Sequence, residues 1–171
     1  MNYDLEYFEG LLRKYSETAR HIFELRWGFI EETHPKVILD YGCGVGWMRV
    51  YRPKDVVVDS YDIGSFPQTG IQHDHYDVIC FWDVLEHIPD FAVIEDLLRK
   101  CDYVATSIPI KPPEKKWKTW KHFKPLEHLH YFDIELLDAM FEYFGFKTIK
   151  CSQLECPPRE DIYDILYKRT A

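Results

Sequence analysis

The 171-residue chain has no C-x-x-C pair, and its five cysteines are odd in number. That pattern excludes a disulfide framework and a cysteine zinc site, and it fits a reducing compartment. No window approaches the roughly 18 apolar residues of a membrane-crossing helix. Basic residues are also in short supply: 21 Lys and Arg stand against 29 Asp and Glu, a formal charge of −8. Such a balance opposes broad, non-specific binding to nucleic-acid backbones. No Gly/Ser linker, internal repeat or low-complexity run divides the chain. Asp4, Glu6 and Glu9 stand where a signal peptide would need positive charge and then an apolar run. The expectation is one domain, cytoplasmic and away from membranes.

What is present is an ordinary globular mix, 46% apolar and 29% charged. Apolar residues at three-to-four spacing, among them Tyr7, Leu11, Ala19, Ile22, Phe23 and Phe29, predict a helix over 3–33 that Pro35 ends. Four short β-rich runs follow, at 37–39, 56–58, 77–81 and 103–108, the first too short to be a helix and suited to burial on both faces. Helices are expected at 46–51, at 90–100 and after the N-cap Asp133, and strands at 146–151 and 162–168. Residues 63–75 hold few periodic apolar positions and predict an irregular connection, with at most a very short strand near Ile71. Strands alternating with helices predict an α/β, Rossmann-like sheet, mostly parallel, with a C-terminal antiparallel strand pair and helices on both faces. Its parts are an N-terminal helical segment (1–35), a ligand-binding half (36–110), a lysine- and aromatic-rich segment (111–132) and a C-terminal helix with a strand pair (133–171).

Ligands of such sheets bind beyond the carboxyl ends of the strands. Three acids, Asp40, Asp62 and Asp83, each follow an expected strand there. Between the first two lies a loop with Gly42, Gly44 and Gly46, where missing side chains let the backbone turn and approach a ligand. The third glycine comes one residue too early for the G-x-G-x-x-G of a dinucleotide turn. Asp40, immediately upstream, would repel a pyrophosphate and welcome a cationic amine. Asp62, some twenty residues on, suits a ribose diol. Asp59 is its rival, because it too can end the second strand. A nucleoside with a positive centre and no phosphates describes S-adenosylmethionine.

Val37-Ile38-Leu39-Asp40-Tyr41-Gly42-Cys43-Gly44-Val45-Gly46 resembles the first motif of class I S-adenosylmethionine-dependent methyltransferases. Ser60-Tyr61-Asp62-Ile63-Gly64 resembles their acidic second motif. Tyr76 to Ile88, with Asp83-Val84-Leu85-Glu86-His87, resembles the strand-four motif of the ubiquinone-biosynthesis O-methyltransferase type, and His128-Leu129-His130-Tyr131-Phe132 is similar to a later segment of that group. The resemblance implies methyl transfer to an oxygen, or less favourably a nitrogen, of a small-molecule acceptor. It implies that Asp40 binds the methionine amino group, while Tyr41, Gly42, Cys43 and Gly44 line the methionine and ribose. Asp62 would hold the ribose and Ile63 the adenine, with Phe81, Trp82 and Asp83 bordering the sulfonium. The third strand usual in the family has no room between Asp62 and Tyr76. Gln72 and Asp74 are therefore the candidates there for the adenine amino group.

His87 is the first candidate for general base, since its ordinary pKa lies near ~6.5; the competing reading is a helix-entry residue that hydrogen-bonds a loop. Glu86 and His130 complete the catalytic candidates. Relatives with an acid-x-x-Glu-His sequence bind a divalent metal, to which Asp83, Glu86, His87 and either His128 or His130 would contribute. Metal-free transfer ranks above it. Trp117, Trp120 and Phe123 recur every three residues beside six lysines in 111–124. They read as a lid over an anionic or aromatic acceptor, as a stripe packed on the body, or, least favoured given the overall charge, as a stacking surface for single-stranded RNA.

Overall fold

The computed structural model describes residues 5–64, 68–113, 117, 119–157 and 159–170. Helix α1 (Leu5–Ile30) is followed by strand β1 (Val37–Tyr41), a short helix α2 (Trp47–Val50) and strand β2 (Val57–Tyr61). Then come β3 (Tyr76–Trp82), helix α3 (Ala92–Leu98), β4 (Cys101–Pro109), helix α4 (Ile134–Tyr143), β5 (Phe146–Ser152) and β6 (Ile162–Arg169). The six strands form one sheet in the order β2-β1-β3-β4-β6-β5. The β2-β1-β3-β4 neighbours are parallel, and β6 runs antiparallel to both β4 and β5.

The alternation of β3 shows why both faces must be covered. Val78, Cys80 and Trp82 pack with Ala19, Phe23, Trp27 and Ile30 of α1. Ile79 and Phe81 point the other way, to Leu97 of α3 and Leu137 and Phe141 of α4. A strand buried on both sides is continuously apolar, and β3 is so from Val78 to Trp82. Gly28 does not break α1, which stays helical to Ile30 and closes in a single 3-10 turn at 31–33. Asp133 caps α4 by accepting from the Leu136 N–H at 2.9 Å. At the other end Gly145 takes φ +84°, the left-handed turn that helix stops favour.

Among the described residues between Asp62 and His75 no strand forms, at Ile71 included, and β2 is the edge of the sheet. Residues 68–73 run back along that edge and bond to it largely through side chains. The Gln68 amide pairs with both the N–H and the carbonyl of Asp62. Thr69 Oγ1 accepts from the Ser60 N–H at 2.7 Å, and the Gly70 N–H donates to the Ser60 carbonyl at 2.9 Å. Asp59, 2% exposed, then collects the Gln72 N–H at 2.8 Å, His73 Nδ1 at 2.9 Å and the Tyr76 hydroxyl at 2.7 Å. Burial alone would raise the Asp59 carboxyl, but the His73 and Tyr76 hydrogen bonds hold it below its ordinary value.

Asp59 thereby ties the shortened connection to the sheet, so Asp59→Ala is expected to lower stability by about 1–3 kcal/mol, the cost of leaving buried donors unpaired. Urea unfolding checks this, with the exposed Asp74→Ala as a control expected within about 0.5 kcal/mol of the parent.

Candidate functional site

The carboxyl ends of β1, β2 and β3 open into a cleft of about 1300 Å³, roofed by α1 and closed on the far side by residues 126–129. Its glycine loop is shaped by sterics. Gly42 has φ +75°, and a Cβ there would lie 2.4 Å from Val84 Cγ2. The Gly42 and Cys43 N–H groups both donate to the Tyr61 carbonyl, at 2.7 and 3.0 Å. Asp62 completes the brace by accepting from the Gly44 N–H and the Gly64 N–H, each at 2.8 Å. Among the rival acids, Asp62 lines the cleft, whereas Asp59 is committed to the edge connection.

Asp40, Tyr41, Gly42, Cys43 and Gly44 line the same cleft, with Ile63 85% exposed at its mouth. Asp40 is 2% exposed, and burial, opposed by Arg26 and reinforced by Asp62, pushes its carboxyl up to about 7. Trp82 and Asp83 line the cleft at the end of β3. Phe81 does not. The pleat turns it into the opposite layer, fully buried, where its ring lies 5.5 Å from that of Tyr41. Gln72 and Asp74 also lie outside the cleft; the Gln72 amide donates to the Thr69 carbonyl.

Asp83 sits at φ +60° and is held by two arginines. Arg26 Nη2 reaches Asp83 Oδ2 at 3.0 Å, and Arg159 grips both carboxylate oxygens. Arg26 also bonds Glu155 at 2.6 Å and Ser107 Oγ at 3.0 Å, and Arg159 bonds Glu155. Burial alone would raise the Asp83 carboxyl; Arg159 and Arg26 bring it down to about 2. Asp164, fully buried behind this group, is pushed up to about 8 by burial and by Glu155. From sequence, Arg26 and Arg20 are within reach of the cofactor carboxylate but rank with ordinary surface charges, and Arg159 is not singled out. Arg26 did carry a signal, a charge at the seventh position after Ala19 on the apolar stripe of α1. Arg159, in the loop before β6, carried none.

His87 lines the cleft, and its Nδ1 lies 2.9 Å from the Glu127 carbonyl. A carbonyl only accepts, so Nδ1 carries a proton there, and Nε2 is the ring nitrogen not committed to that bond. His87 thus makes the loop hydrogen bond of the competing reading while also lining the cleft. Glu86 is 2% exposed, with Oε1 3.9 Å from His87 Nε2 and Oε2 without a hydrogen-bond partner. Burial, then Asp83, pushes Glu86 up to about 8. The histidine that joins them is His128, not His130. Ligand atoms of Glu86, His87 and His128 lie within 4.8 Å of one another, and burial followed by His87 lowers His128 to about 4. His130 is turned away, its Nε2 2.8 Å from the Ile88 carbonyl.

The aromatic stripe packs on the body. Trp117 meets Trp120, Phe123 and Tyr131 at ring separations of 6.1, 5.0 and 4.7 Å, and Trp120 Nε1 donates to Asp161 at 3.2 Å. None of the three lines the cleft.

A family model described as a methyltransferase domain matches residues 11–150. No curated relative matches the chain. Among solved structures, the chain is similar to the magnesium protoporphyrin IX methyltransferase of Synechocystis PCC 6803 with bound SAH: 16% identity, TM-score 0.65, covering 88% of this chain and 83% of that one. It is also similar to the 1,6-didemethyltoxoflavin-N1-methyltransferase of Burkholderia thailandensis, at 13% identity and TM-score 0.62 over 90% and 77%. The methyltransferase domain of bacterial CtHen1-C gives 13% and 0.61 over 89% and 98%. At these identities the likeness is one of fold.

The buried arginine lends itself to a stability test. Arg26→Met leaves Asp83 and Glu155 short of a partner and is expected to cost about 3–5 kcal/mol, read as a lowered urea midpoint. An unchanged midpoint would show that the ion group contributes nothing net.

Proposed function

Because the chain belongs to the methyltransferase-domain family, we propose that its cleft binds S-adenosylmethionine and transfers the methyl group to an oxygen, or less favourably a nitrogen, of a small-molecule acceptor. The observation that carries this is the convergence of Asp40, the glycine loop and Asp62 on one cleft. A carboxylate at the loop entry selects a cation over a pyrophosphate, and the resemblance of these segments to the family's first two motifs gives the same answer. In this reading Asp40 binds the methionine ammonium, the loop backbone accommodates the ribose and methionine, Asp62 takes the ribose hydroxyls and Ile63 covers the adenine. Trp82 and Asp83 border the sulfonium.

S-adenosylmethionine supplies an electrophilic methyl carbon. The acceptor oxygen forms a bond to that carbon as the sulfur–carbon bond breaks, and the acceptor proton passes to His87 Nε2. Holding the two reactants in line is the larger contribution, up to roughly 7–11 kcal/mol, and a general base adds about 10²–10⁴-fold. The donor set Glu86, His87 and His128 has the chemistry to hold a divalent ion. Asp83, the fourth member suggested by sequence, is instead committed to Arg26 and Arg159, which engage both of its carboxylate oxygens. Metal-free transfer is therefore the reading we keep.

Asp40 sets a pH dependence. Its raised carboxyl is protonated below about 7 and ionised above it, and only the ionised form attracts an ammonium. Calorimetric affinity for S-adenosylmethionine should weaken toward tenfold per pH unit below that point and level off above it. Asp40→Asn should bind weakly at every pH and lose the inflection. A chain that ignores S-adenosylmethionine throughout would refute the proposal. For the chemical step, His87→Gln is expected to lower kcat by about 10²–10⁴-fold with little change in cofactor affinity. EDTA-treated parent protein should turn over normally; activity lost to EDTA and restored by Mn²⁺ would transfer the role to a metal on Glu86, His87 and His128.

A further inference from the structure

Beyond the acids and the glycine loop, the cleft changes character. Its outer wall is made by Ile88, Pro89, Val93, Leu126 and Leu129. Leu126 is 95% exposed, Val93 57% and Leu129 53%, so large apolar side chains crowd the rim of the cleft. An apolar rim around a concavity marks a surface that a ligand covers. The volume agrees. About 1300 Å³ exceeds the roughly 300–1,000 Å³ of a pocket for a single small ligand, which leaves room for a second molecule beside the cofactor.

Charge narrows what that molecule can be. Among the described residues, the cationic side chains lining the cleft are Arg26 and Arg159, and both are already engaged by Asp83 and Glu155. Two guanidinium groups facing two carboxylates leave no net positive charge for an acidic acceptor. Sequence reading allowed an anionic acceptor; the ion group argues against it.

Leu129 has a second neighbour. It also lines a separate pocket of about 480 Å³ with Lys111, Pro112, Trp117, His130 and Tyr131. Its own N–H donates to the Glu86 carbonyl at 2.7 Å, so the residue is a fixed ridge between the two cavities. A molecule lying over that ridge meets His87 at one end and the rings of Trp117 and Tyr131 at the other.

We infer that the methyl acceptor is an extended, uncharged and mainly apolar molecule, which presents a hydroxyl at His87, lies across Leu126 and Leu129, and rests its far end in the Trp117–Tyr131 pocket. This rests on the methyltransferase reading of the cleft. The experiment therefore begins by confirming that the chain binds S-adenosylhomocysteine; a failure there would remove that reading and this inference with it, whereas the outcomes below bear on this inference alone.

With S-adenosylhomocysteine bound, affinities of a 4-alkylphenol series from methyl to octyl are measured by equilibrium dialysis. Affinity should climb by up to roughly fourfold per added methylene. Each phenol carrying an added ring carboxylate should bind at least tenfold more weakly than its uncharged partner. Leu126→Asp with Leu129→Asp should flatten the series, and Trp117→Ala should weaken only the longest members. Leu126 is almost wholly exposed, so its replacement leaves the core intact. A series that is flat in the parent chain, or carboxylated phenols that bind more tightly, would overturn the inference, as would Trp117→Ala weakening short and long members alike.

Discussion

Arg26 is the residue on which the site's construction turns. It leaves the apolar face of α1, passes beneath the cleft and reaches the end of β3 through Asp83, the end of β4 through Ser107 and the C-terminal loop through Glu155. Four segments distant in sequence are thus fixed to one planar fork. A guanidinium can do this because its donors point in several directions within one plane, whereas an ammonium would reach them only in turn. The arrangement also neutralises itself, so positive charge that would otherwise face the ligand is spent inside the protein. A buried ion group of this kind is weak evidence for net stability, but losing one partner is severe because the remaining charges stay in the interior.

The glycine loop works by the opposite principle. There the chain removes side chains rather than adding charge, and Asp62 supplies the rigidity from outside by holding the Gly44 and Gly64 N–H groups. One carboxylate serves as a brace for the loop and as part of the cleft wall. Asp40, a few residues upstream, has no such tie and is buried, which is why its proton is held so much more firmly than that of an ordinary aspartate.

Much of this was legible in the sequence where local chemistry decides the outcome. The buried strands announced themselves by unbroken apolar runs, α4 by its Asp133 cap, and the loop by glycines following a strand. Between the rival acids Asp62 and Asp59 the fold adds an observation no motif contains: Asp59 is occupied by Tyr76, Gln72 and His73. What stayed hidden depends on how distant segments meet. Its position in the motif puts Phe81 at the sulfonium with Trp82 and Asp83, but adjacent residues of a strand face opposite ways. His128 and His130 could not be ranked without knowing that the Leu129 and His130 N–H groups both dock on the Glu86 carbonyl, a contact that fixes which imidazole turns inward. Arg159 needed the whole C-terminal loop in place before its partner could be seen.

The two borders of the sheet are guarded by different means. Along β2 the exposed main chain is occupied by a stretch of the protein too irregular to be a strand, with the Gln68 amide and the Thr69 hydroxyl taking the places a neighbouring backbone would fill. Along β5 no such bracket exists among the described residues; Lys147 and Lys150 stand on that outermost strand instead. Since an unguarded strand is a template for any passing chain, a domain that dispenses with its outer strand must replace the lost hydrogen bonds or risk polymerising through the vacancy. The same few polar side chains that let the fold be shorter thus also close the border that a missing strand would leave open.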